Sequence, residues 1–298
     1  MTQDASNAFL ITDVHVHLQD KRFGATWEDT ELYIERAREK GVARFVCAAT
    51  SPADWNRTAQ IAQRFPNVLP TFGVHPWFYD KISGDWTQPL KMFLDAKFSN
   101  ELQARAALGE VGLDFVVRNC DDEVKAAQEE TLRAQLQIAN ERGIPVVMHS
   151  VRANERALLC MKEFSKVPTW LLHGWNATPQ EIERACELGA FFSFSKRNAS
   201  PRAKRGRETI AAVPRDRILL ESDGPTPVPP NGYDSNDPNW QTKVVQARGQ
   251  DGFLLDEPAH IIATAREIAA IKKLEFDEFL RQVQINERRF FANWTRKD

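Results

Sequence analysis

The stretch Ile11–Leu18 has the sequence ITDVHVHL, a short run rich in β-branched residues that also contains two histidines. Seven more short apolar runs follow it along the chain, and longer charge-rich amphipathic segments separate one run from the next. Alternation of this kind is typical of repeated strand–helix units around a parallel sheet. The predicted strands are Ile11–Leu18, Ala43–Thr50, Val68–His75, Ala106–Phe115, Pro145–Val151, Thr169–Trp175, Ala190–Ser195 and Ile218–Asp223. They predict the α/β fold class, in the form of a (β/α)8 TIM barrel.

Signals for helix starts and ends fall between these strands. Asp29 precedes the segment ELYIERAREK and Thr178 precedes Pro179, so Asp29 and Thr178 are both predicted N-caps. Glycine is common just beyond a helix end because it adopts a left-handed backbone without strain. The glycines at such positions are Gly41, Gly143 and Gly189.

Chain length and composition fit one large domain. The chain has 298 residues, of which 42% are hydrophobic, and barrels of about 250 residues commonly form a single domain. We therefore predict one barrel domain over residues 1–298. The Pro-, Gly- and Asn-rich residues after the eighth strand predict an extended loop over 225–252, and C-terminal helices are predicted over 258–291.

Charge and targeting signals limit the class of protein. The formal net charge of -2 gives no overall attraction to polyanions, so nucleic-acid binding requires a local basic patch. The four cysteines have no CxxC spacing, which argues against a zinc ribbon or a disulfide framework. The N-terminal residues lack a signal-peptide pattern, and no run approaches the roughly 18 apolar residues of a membrane span. We expect a cytoplasmic protein with no membrane partner.

Histidines are concentrated at predicted strand ends. The chain has six, and five of them stand at or near the C-terminal end of a predicted strand. In a barrel these ends and the loops after them form the active-site face, where distant chain positions meet in one pocket. The five are His15, His17, His75, His149 and His173, whereas His260 opens a predicted helix.

His15 and His17 are two residues apart, so a strand directs both imidazoles to the same side. Neutral imidazole nitrogen is a preferred ligand of zinc and similar ions, and we predict that this pair binds one ion. Asp223 follows the eighth strand and is predicted to bind the same ion and to take a proton from water. Asp13 either orients a ligand or caps the strand.

A second ion site is predicted from two other strand ends. His149 and His173 each follow an apolar run, which places one imidazole at the mouth of the barrel in each case. Glu110 lies in the segment GEVG, where flanking glycines leave room for close approach, and it is predicted to bridge the two ions. Glu221 shares the side of Asp223 but lies deeper, as expected for a carboxylate that supports the ligands.

Six segments together resemble the TatD family of metal-dependent deoxyribonucleases, and they occur in family order over residues 12–225. They are DVHVHL, GVHP, GEVGLDF, VVMHS, LLHGW and LLESDGP, and EPAH at 257–260 also resembles the family's last segment.

The resemblance implies hydrolysis of phosphodiester bonds by a barrel that holds two divalent ions. Single-stranded DNA or DNA ends would be the substrate, and Zn²⁺, Mg²⁺ or Mn²⁺ suits a mixed set of histidine and carboxylate ligands. Asp223 and Glu110 would be the catalytic carboxylates, and His75 would contact phosphate. The implied metal ligands are His15, His17, Glu110, His149, His173 and Asp223.

Two departures from the family pattern concern substrate binding. The family usually has arginine two residues after the histidine of the fifth strand, whereas this chain has Val151 there and Arg152 one residue later. A shift of one residue turns a side chain to the other face, so Arg152 can contact phosphate only if the loop compensates. The connection over 225–252 is a lid, a specificity wall or an inert surface insertion.

A basic segment supplies a local patch of the kind that nucleic-acid binding requires. Residues 196–207 contain six basic residues and no acidic one, and they follow the seventh predicted strand. Lys196 and Arg197 are predicted to hold phosphates, whereas Arg202–Arg207 fit an exposed helix face slightly better. Three aromatic residues near the histidines either stack on unpaired bases or anchor loops. They are Trp77, Phe78 and Trp175.

Two other functions fit the same pattern. A small-molecule amidohydrolase, lactonase or phosphotriesterase-like enzyme can use the same barrel and ion pair. Many such enzymes bridge their metals with a carbamylated lysine at the end of strand four, where this chain has Glu110 and no lysine. A metal-binding protein without activity is the other alternative, but every ligand position is intact. The pattern favours a nuclease and leaves open DNA against RNA, exonuclease against endonuclease, and the oligomeric state.

Overall fold

Eight parallel strands form one sheet in the chain order β1 to β8. The computed structural model describes residues 10–117, 120–226 and 255–295. The strands are β1 (Ile11–Val16), β2 (Val42–Ala48), β3 (Val68–Phe72), β4 (Ala107–Asp114), β5 (Val146–Val151), β6 (Trp170–His173), β7 (Ala190–Phe194) and β8 (Ile218–Leu220). Each coincides with one predicted run to within a few residues, and the predicted (β/α)8 barrel is confirmed.

Helices connect the strands and cover the outside of the sheet. They are α1 (Trp27–Glu39), α2 (Trp55–Arg64), α3 (Thr87–Asp95), α4 (Asp122–Arg142), α5 (Asn154–Glu163), α6 (Pro179–Glu187), α7 (Lys196–Ala199), α8 (Lys204–Ala212), α9 (Ile261–Lys272) and α10 (Phe276–Phe291). Short 3-10 helices cover Lys21–Phe23, Pro76–Phe78, Arg215–Arg217 and Pro258–His260. None of the described helices is long and apolar enough to cross a membrane.

The C-terminal part of the chain matches its prediction only where it is described. The helices predicted over 258–291 are present as α9 and α10 with the 3-10 turn before them. The loop predicted over 225–252 lies outside the described residues, except for Pro225 and Thr226. The extent of a single domain over residues 1–298 stays a prediction.

Capping boxes determine where α1 and α6 begin. Thr178 is the N-cap of α6 with Pro179 at the first helical position, as predicted. For α1 the predicted N-cap, Asp29, is wrong, because the helix begins earlier and Thr26 is its N-cap. Asp29 instead accepts a hydrogen bond from the Thr26 amide at 3.1 Å, while the Thr26 hydroxyl accepts one from the Asp29 amide at 3.1 Å. This reciprocal pair satisfies two free amides of the first turn.

The barrel interior near the N-terminal ends of the strands is filled by apolar side chains from every strand. Together with α10 and the residues after it they form one buried cluster, and Phe290 and Trp294 belong to this cluster. The strand residues of the cluster are Val14, Val46, Leu69, Ala107, Val147, Leu171, Phe191 and Leu219. Because this end is packed with apolar side chains, the polar strand-end residues gather at the opposite, C-terminal end of the strands.

Two strands carry a β-bulge just where a predicted metal ligand lies. Between Asp13 and Val16, β1 takes one residue more than its partner β2. Between Leu108 and Val111, β4 likewise takes one residue more than β5. A bulge bends its strand and changes the direction of the side chains beside it, and bulges are frequent next to active sites.

Backbone and side-chain hydrogen bonds join β1 to the residues that follow β8; we call this junction the seam. The Asp223 amide donates to the His15 carbonyl at 3.0 Å, and the His17 amide donates to the Gly224 carbonyl at 2.8 Å. Asp13 is buried and accepts hydrogen bonds from the Ser222 hydroxyl at 2.6 Å and amide at 3.0 Å. The segments that carry His15, His17 and Asp223 therefore close the barrel themselves.

Candidate metal centre

Five histidines and two carboxylates converge at the C-terminal end of the barrel. Glu110 on β4 is buried and lies at the centre of the group. Its Oε2 atom is 3.4 Å from His15 Nε2 and 3.6 Å from His17 Nε2. Its Oε1 atom is 2.8 Å from His173 Nε2, 3.0 Å from His149 Nδ1 and 3.2 Å from His75 Nε2. One carboxylate thus contacts imidazoles from both halves of the barrel.

His15, His17 and Asp223 form one group of potential ligand atoms, all within 4.8 Å of one another. The Asp223 Oδ1 atom is 4.0 Å from His15 Nε2 and 3.9 Å from His17 Nε2. Asp223 lies beyond the end of β8 and has a left-handed backbone with φ 53°. That turn brings its carboxylate to His15 of β1 and to His17 just beyond the end of that strand.

The other histidines share Glu110 in two further groups within 4.8 Å, namely His15 with His173 and His75 with His149. The rings of His15 and His173 stack with centroids 3.9 Å apart. His149 Nδ1 is also 3.2 Å from His173 Nε2, so the predicted pair of second-ion ligands is in contact. His75, expected to contact phosphate, lies nearer the ligands than the sequence indicated.

Hydrogen bonds assign the tautomers of His17 and His75. The Ala48 carbonyl can only accept, so His17 Nδ1, 2.7 Å away, carries the proton and leaves Nε2 with a lone pair. In His75 the assignment is reversed, because its Nδ1 accepts the Trp77 amide hydrogen at 3.1 Å. In the neutral ring Nε2 therefore carries the proton. His17 presents a metal-binding nitrogen to the centre, whereas His75 presents a hydrogen-bond donor.

Burial and mutual attraction set the charges of the central pair. Burial disfavours the ionised form of Glu110, but His75, His173 and His15 outweigh it and hold the pKa of its carboxyl well below the usual value. Burial also disfavours protonated His173, yet Glu110 and Glu221 raise the pKa of its imidazole well above the usual value. A cation would compete with a proton for the imidazole of His173.

His15 and Asp223 have pKa values that suit a ligand and a proton acceptor. Burial lowers the pKa of His15 to about 4, so its ring is neutral at physiological pH. Burial raises the pKa of Asp223 to about 6, although the nearby His173 opposes the shift. A carboxyl with a pKa in this range can take up and release a proton near neutral pH.

The donor set fits divalent cations. Both ring nitrogens of His15 are buried and neither makes a hydrogen bond within the described part of the chain. A buried polar atom normally has a partner, and a cation would supply one for a neutral imidazole nitrogen. Imidazole and carboxylate together suit Zn²⁺, and the carboxylate oxygens also suit Mg²⁺ or Mn²⁺.

Supporting carboxylates surround the ligands. Glu221 is fully buried, accepts a hydrogen bond from the Ser193 hydroxyl at 2.5 Å and lies 3.7 Å from His173 Nδ1. This position agrees with the deeper, supporting place expected for it. Asp114 was not singled out from the sequence, although its Oδ2 atom is 3.4 Å from His149 Nε2. Its place after Glu110 in the GEVGLD segment of β4 was the available signal. Asp13 contacts backbone amides, including that of His15 at 3.2 Å, and the Ser222 hydroxyl.

The predicted phosphate contacts are placed differently from one another. Lys196 on α7 is buried and paired with Glu267 of α9, so it does not present the free cation that the sequence suggested. Arg197 is exposed on the same short helix. Arg152 is exposed just after β5 and has a left-handed backbone with φ 52°.

The aromatic residues considered for base stacking are also separated by the structure. Trp175 is completely buried and packs on Phe192 with ring centroids 6.4 Å apart, so it is a packing residue and cannot stack on a base. Phe78 is half-buried against the apolar core. Trp77 is 58% exposed.

A sequence model for the family described as TatD related DNase matches residues 12–292 of the chain. The chain belongs to this family. The metal-dependent hydrolase YjjV of Escherichia coli K12 is 28% identical over 253 residues, which are 85% of this chain and 93% of the relative. The 3'-5' ssDNA/RNA exonuclease TatD of Erwinia tasmaniensis is 28% identical over 282 residues, covering 94% of this chain and 98% of the relative.

Solved structures show the same fold. The crystal structure of Escherichia coli YjjV, a TatD homologue, aligns with a TM-score of 0.78 at 24% identity and covers 96% of this chain and 99% of that chain. Within the TatD-related DNase family this chain is a metal-dependent hydrolase.

Proposed function

We propose that this TatD-related protein hydrolyses phosphodiester bonds of nucleic acid, with single-stranded DNA or DNA ends as its main substrate and with two divalent ions as cofactors. The ions would be Zn²⁺, Mg²⁺ or Mn²⁺. The name of the Erwinia relative, a 3'-5' ssDNA/RNA exonuclease, supports nucleic acid as the substrate class.

The observation that carries the proposal is the position of Glu110. It is a buried carboxylate within 3.6 Å of five imidazole nitrogens at the open end of a barrel. Burying an ionised carboxylate is costly unless charged or hydrogen-bonding partners offset the lost hydration. Four of the five imidazoles, those of His15, His17, His149 and His173, are predicted metal ligands, and a carboxylate among them is expected for a bridge between two ions.

The ligands divide between the two ions as follows. His15, His17 and Asp223 would hold one ion, His149 and His173 would hold the other, and Glu110 would bridge them. Bound ions would neutralise charge on phosphoryl oxygens and lower the pKa of water toward about 7.

Asp223 and His75 would supply the proton chemistry. Asp223, beside the ion that it would share with His15 and His17, would accept a proton from the attacking water. Burial lowers the pKa of His75 to about 4, so the ring is neutral at physiological pH and its Nε2–H can donate to a phosphoryl oxygen.

Exposed arginines near the site would orient the nucleic-acid backbone. Arg197 is the exposed member of the predicted Lys196–Arg197 pair. The left-handed turn at Arg152 changes the chain direction immediately after β5. A turn of this kind is what the displaced arginine needs to recover the family orientation, which supports a phosphate contact for Arg152.

The test is cleavage of an end-labelled single-stranded oligonucleotide by purified protein with Mg²⁺, Mn²⁺ or Zn²⁺, and with chelator. We expect cleavage with at least one ion, none with chelator, and a loss of more than about 100-fold in Glu110→Ala, because each ion loses a ligand. Glu183→Ala is the matched control, since Glu183 is an exposed glutamate of α6. Absence of cleavage by the wild-type protein with all three ions would refute the proposal, as would full activity of Glu110→Ala.

A further inference from the structure

We propose that Trp77 and the cavity beside it hold an unpaired base of the substrate, on the nucleotide next to the cleaved phosphodiester bond. This inference rests on the proposed function and names a subsite for it. It assigns Trp77 as a substrate-binding residue.

Trp77 differs from the other tryptophans by its exposure. It is 58% exposed, whereas the other tryptophans in the described part of the chain are buried or half-buried. A large exposed aromatic ring gains free energy when it leaves water and stacks on another flat ring. The exposure therefore leaves a free ring face for a partner.

The Trp77 ring is held in place although it is exposed. Its indole Nε1 donates to Asp114 Oδ2 at 2.7 Å, and its backbone amide donates to His75 Nδ1 at 3.1 Å. Asp114 is fixed in turn, because its Oδ1 accepts from the Val116 amide at 2.9 Å. A fixed aromatic platform binds more tightly than a mobile one, since less side-chain freedom is lost on binding.

The platform adjoins the candidate metal centre. The ring centroid of Trp77 is 4.8 Å from that of His75 and 6.5 Å from that of His149. Asp114, which anchors the indole, also lies 3.4 Å from His149 Nε2. A group stacked on Trp77 would therefore lie beside a phosphate held at the centre.

The cavity next to Trp77 has the chemistry of a base site. It has a volume of about 410 Å³ and is lined by Trp77, Tyr79, Asp80, Asp114, Val116 and Val117, together with Pro76. No lysine or arginine lines it among the described residues. Two carboxylates repel a phosphate, whereas aromatic and apolar walls favour an uncharged ring. The backbone would follow the metal centre, and the base would enter this cavity.

Stacking on Trp77 requires an unpaired base, because a paired base offers its faces to its neighbours in the duplex. The subsite would therefore favour single strands and frayed ends over intact duplex.

The experiment compares wild-type protein and Trp77→Ala on single-stranded oligonucleotides in which one abasic residue is placed at each of the last three positions in turn. On the strand without an abasic residue we expect Trp77→Ala to lower kcat/KM by about 5-fold to 150-fold, the range for loss of one stacked base. At one abasic position the two proteins should cleave at the same rate, because no base is left to stack. Trp77→Phe keeps an aromatic ring, so its kcat/KM on the strand without an abasic residue should lie between the values of wild type and Trp77→Ala.

Met92→Ala is the matched control, since Met92 is an exposed large apolar residue of α3, and it should cleave like the wild type. An equal loss in Trp77→Ala on every substrate, including all abasic ones, would mean that Trp77 acts only by supporting Asp114 and His149, and would overturn the proposal. Unchanged cleavage by Trp77→Ala of the strand without an abasic residue would also overturn the proposal. If the wild-type protein cleaves none of the strands, the proposed function fails first, and the subsite falls with it.

Discussion

His17 and His75 illustrate how a single hydrogen bond decides what a histidine can do. Both rings approach Glu110, at 3.6 Å and 3.2 Å. The Ala48 carbonyl fixes the proton of His17 on Nδ1, and the Trp77 amide keeps the proton of His75 off Nδ1. The nitrogen that faces the centre carries a lone pair in His17 and a proton in His75.

This difference predicts separate effects of His17→Ala and His75→Ala. Protein with His17→Ala should bind one ion fewer than wild type, because a ligand is lost. Protein with His75→Ala should keep both ions but cleave about 100-fold more slowly, as expected when one donor to a developing anion is removed. Metal content by atomic emission, together with kcat for an oligonucleotide, checks both. Loss of an ion from His75→Ala would show that this histidine is itself a ligand.

At the scale of elements, β4 and β5 approach so closely that β4 requires a glycine. Gly112 has φ 149° and pairs with His149 across the sheet. A Cβ atom at this position would overlap the backbone carbonyl of His149, which cannot move without displacing β5. Close packing of these strands keeps His149 beside Glu110.

We expect Gly112→Ala to lower the free energy of unfolding by about 3 kcal/mol, the upper end of the cost of overpacking. Gly189→Ala is the control, because Gly189 also has a positive φ, of 81°, but has open space around it. That substitution should cost only about 1 kcal/mol, which is the penalty for a left-handed backbone at a residue with a Cβ atom. Urea denaturation of both variants measures the difference, and equal losses would argue against a contact with the His149 backbone.

The existence and order of the strands could be predicted from apolar runs, but their ends could not. His75 was placed in the third strand, yet β3 ends at Phe72 and His75 is the N-cap of a 3-10 helix. Asp223 likewise lies beyond β8. Turn geometry depends on tertiary contacts, such as those across the seam, which alternation of residue types does not reveal.

The site could be predicted as a set of residues but not as a set of contacts. The concentration of histidines at strand ends predicted that His15, His17, His149 and His173 lie close together, and in the structure all four approach Glu110 within 3.6 Å. The bulges in β1 and β4 change which side chains face each other, and no sequence pattern marked them. Burial of Lys196 by Glu267 of α9 could not be foreseen either, because its partner lies far along the chain.

At the scale of the whole molecule, a buried carboxylate ties the last helix to the first strand. Glu287 of α10 accepts hydrogen bonds from the Thr12 amide at 2.7 Å and the Thr12 hydroxyl at 2.9 Å. Arg44 of β2 lies 3.3 Å from the same carboxylate. Burial raises the pKa of Glu287 to about 7, although these partners oppose the shift.

This raised pKa predicts the sign of a pH effect on stability. Between the ordinary value of 4.5 and about 7, the folded protein holds a proton that the unfolded chain has released. The free energy of unfolding should therefore fall as pH rises through this window, by roughly 3 kcal/mol in total. Glu287→Gln should remove this component. Thermal unfolding of both proteins in chelator from pH 5 to pH 8 tests it, and parallel stability curves would contradict it.

Ions should stabilise the whole barrel, because His15 and His17 lie on one side of the seam and Asp223 lies on the other. An ion held by all three would cross-link the first strand to the segment after the last. At a free ion concentration of 100 times the dissociation constant, we expect about 2.7 kcal/mol of added stability. Calorimetry with and without Mn²⁺ measures this, and Asp223→Ala should lose most of the effect. An equal gain in Asp223→Ala would place the stabilising ion elsewhere.

The seam also determines when, during synthesis of the chain, the metal ligands can come together. The amides and carbonyls that close the barrel come from residues 15–17 and 223–224, so the ligand set cannot assemble until all eight strands have been made. Pairings between such distant positions form late in folding, and a chain emerges from the ribosome with its N-terminal part first. A nascent chain would then lack its metal centre, and with it its hydrolase activity, throughout most of its own synthesis.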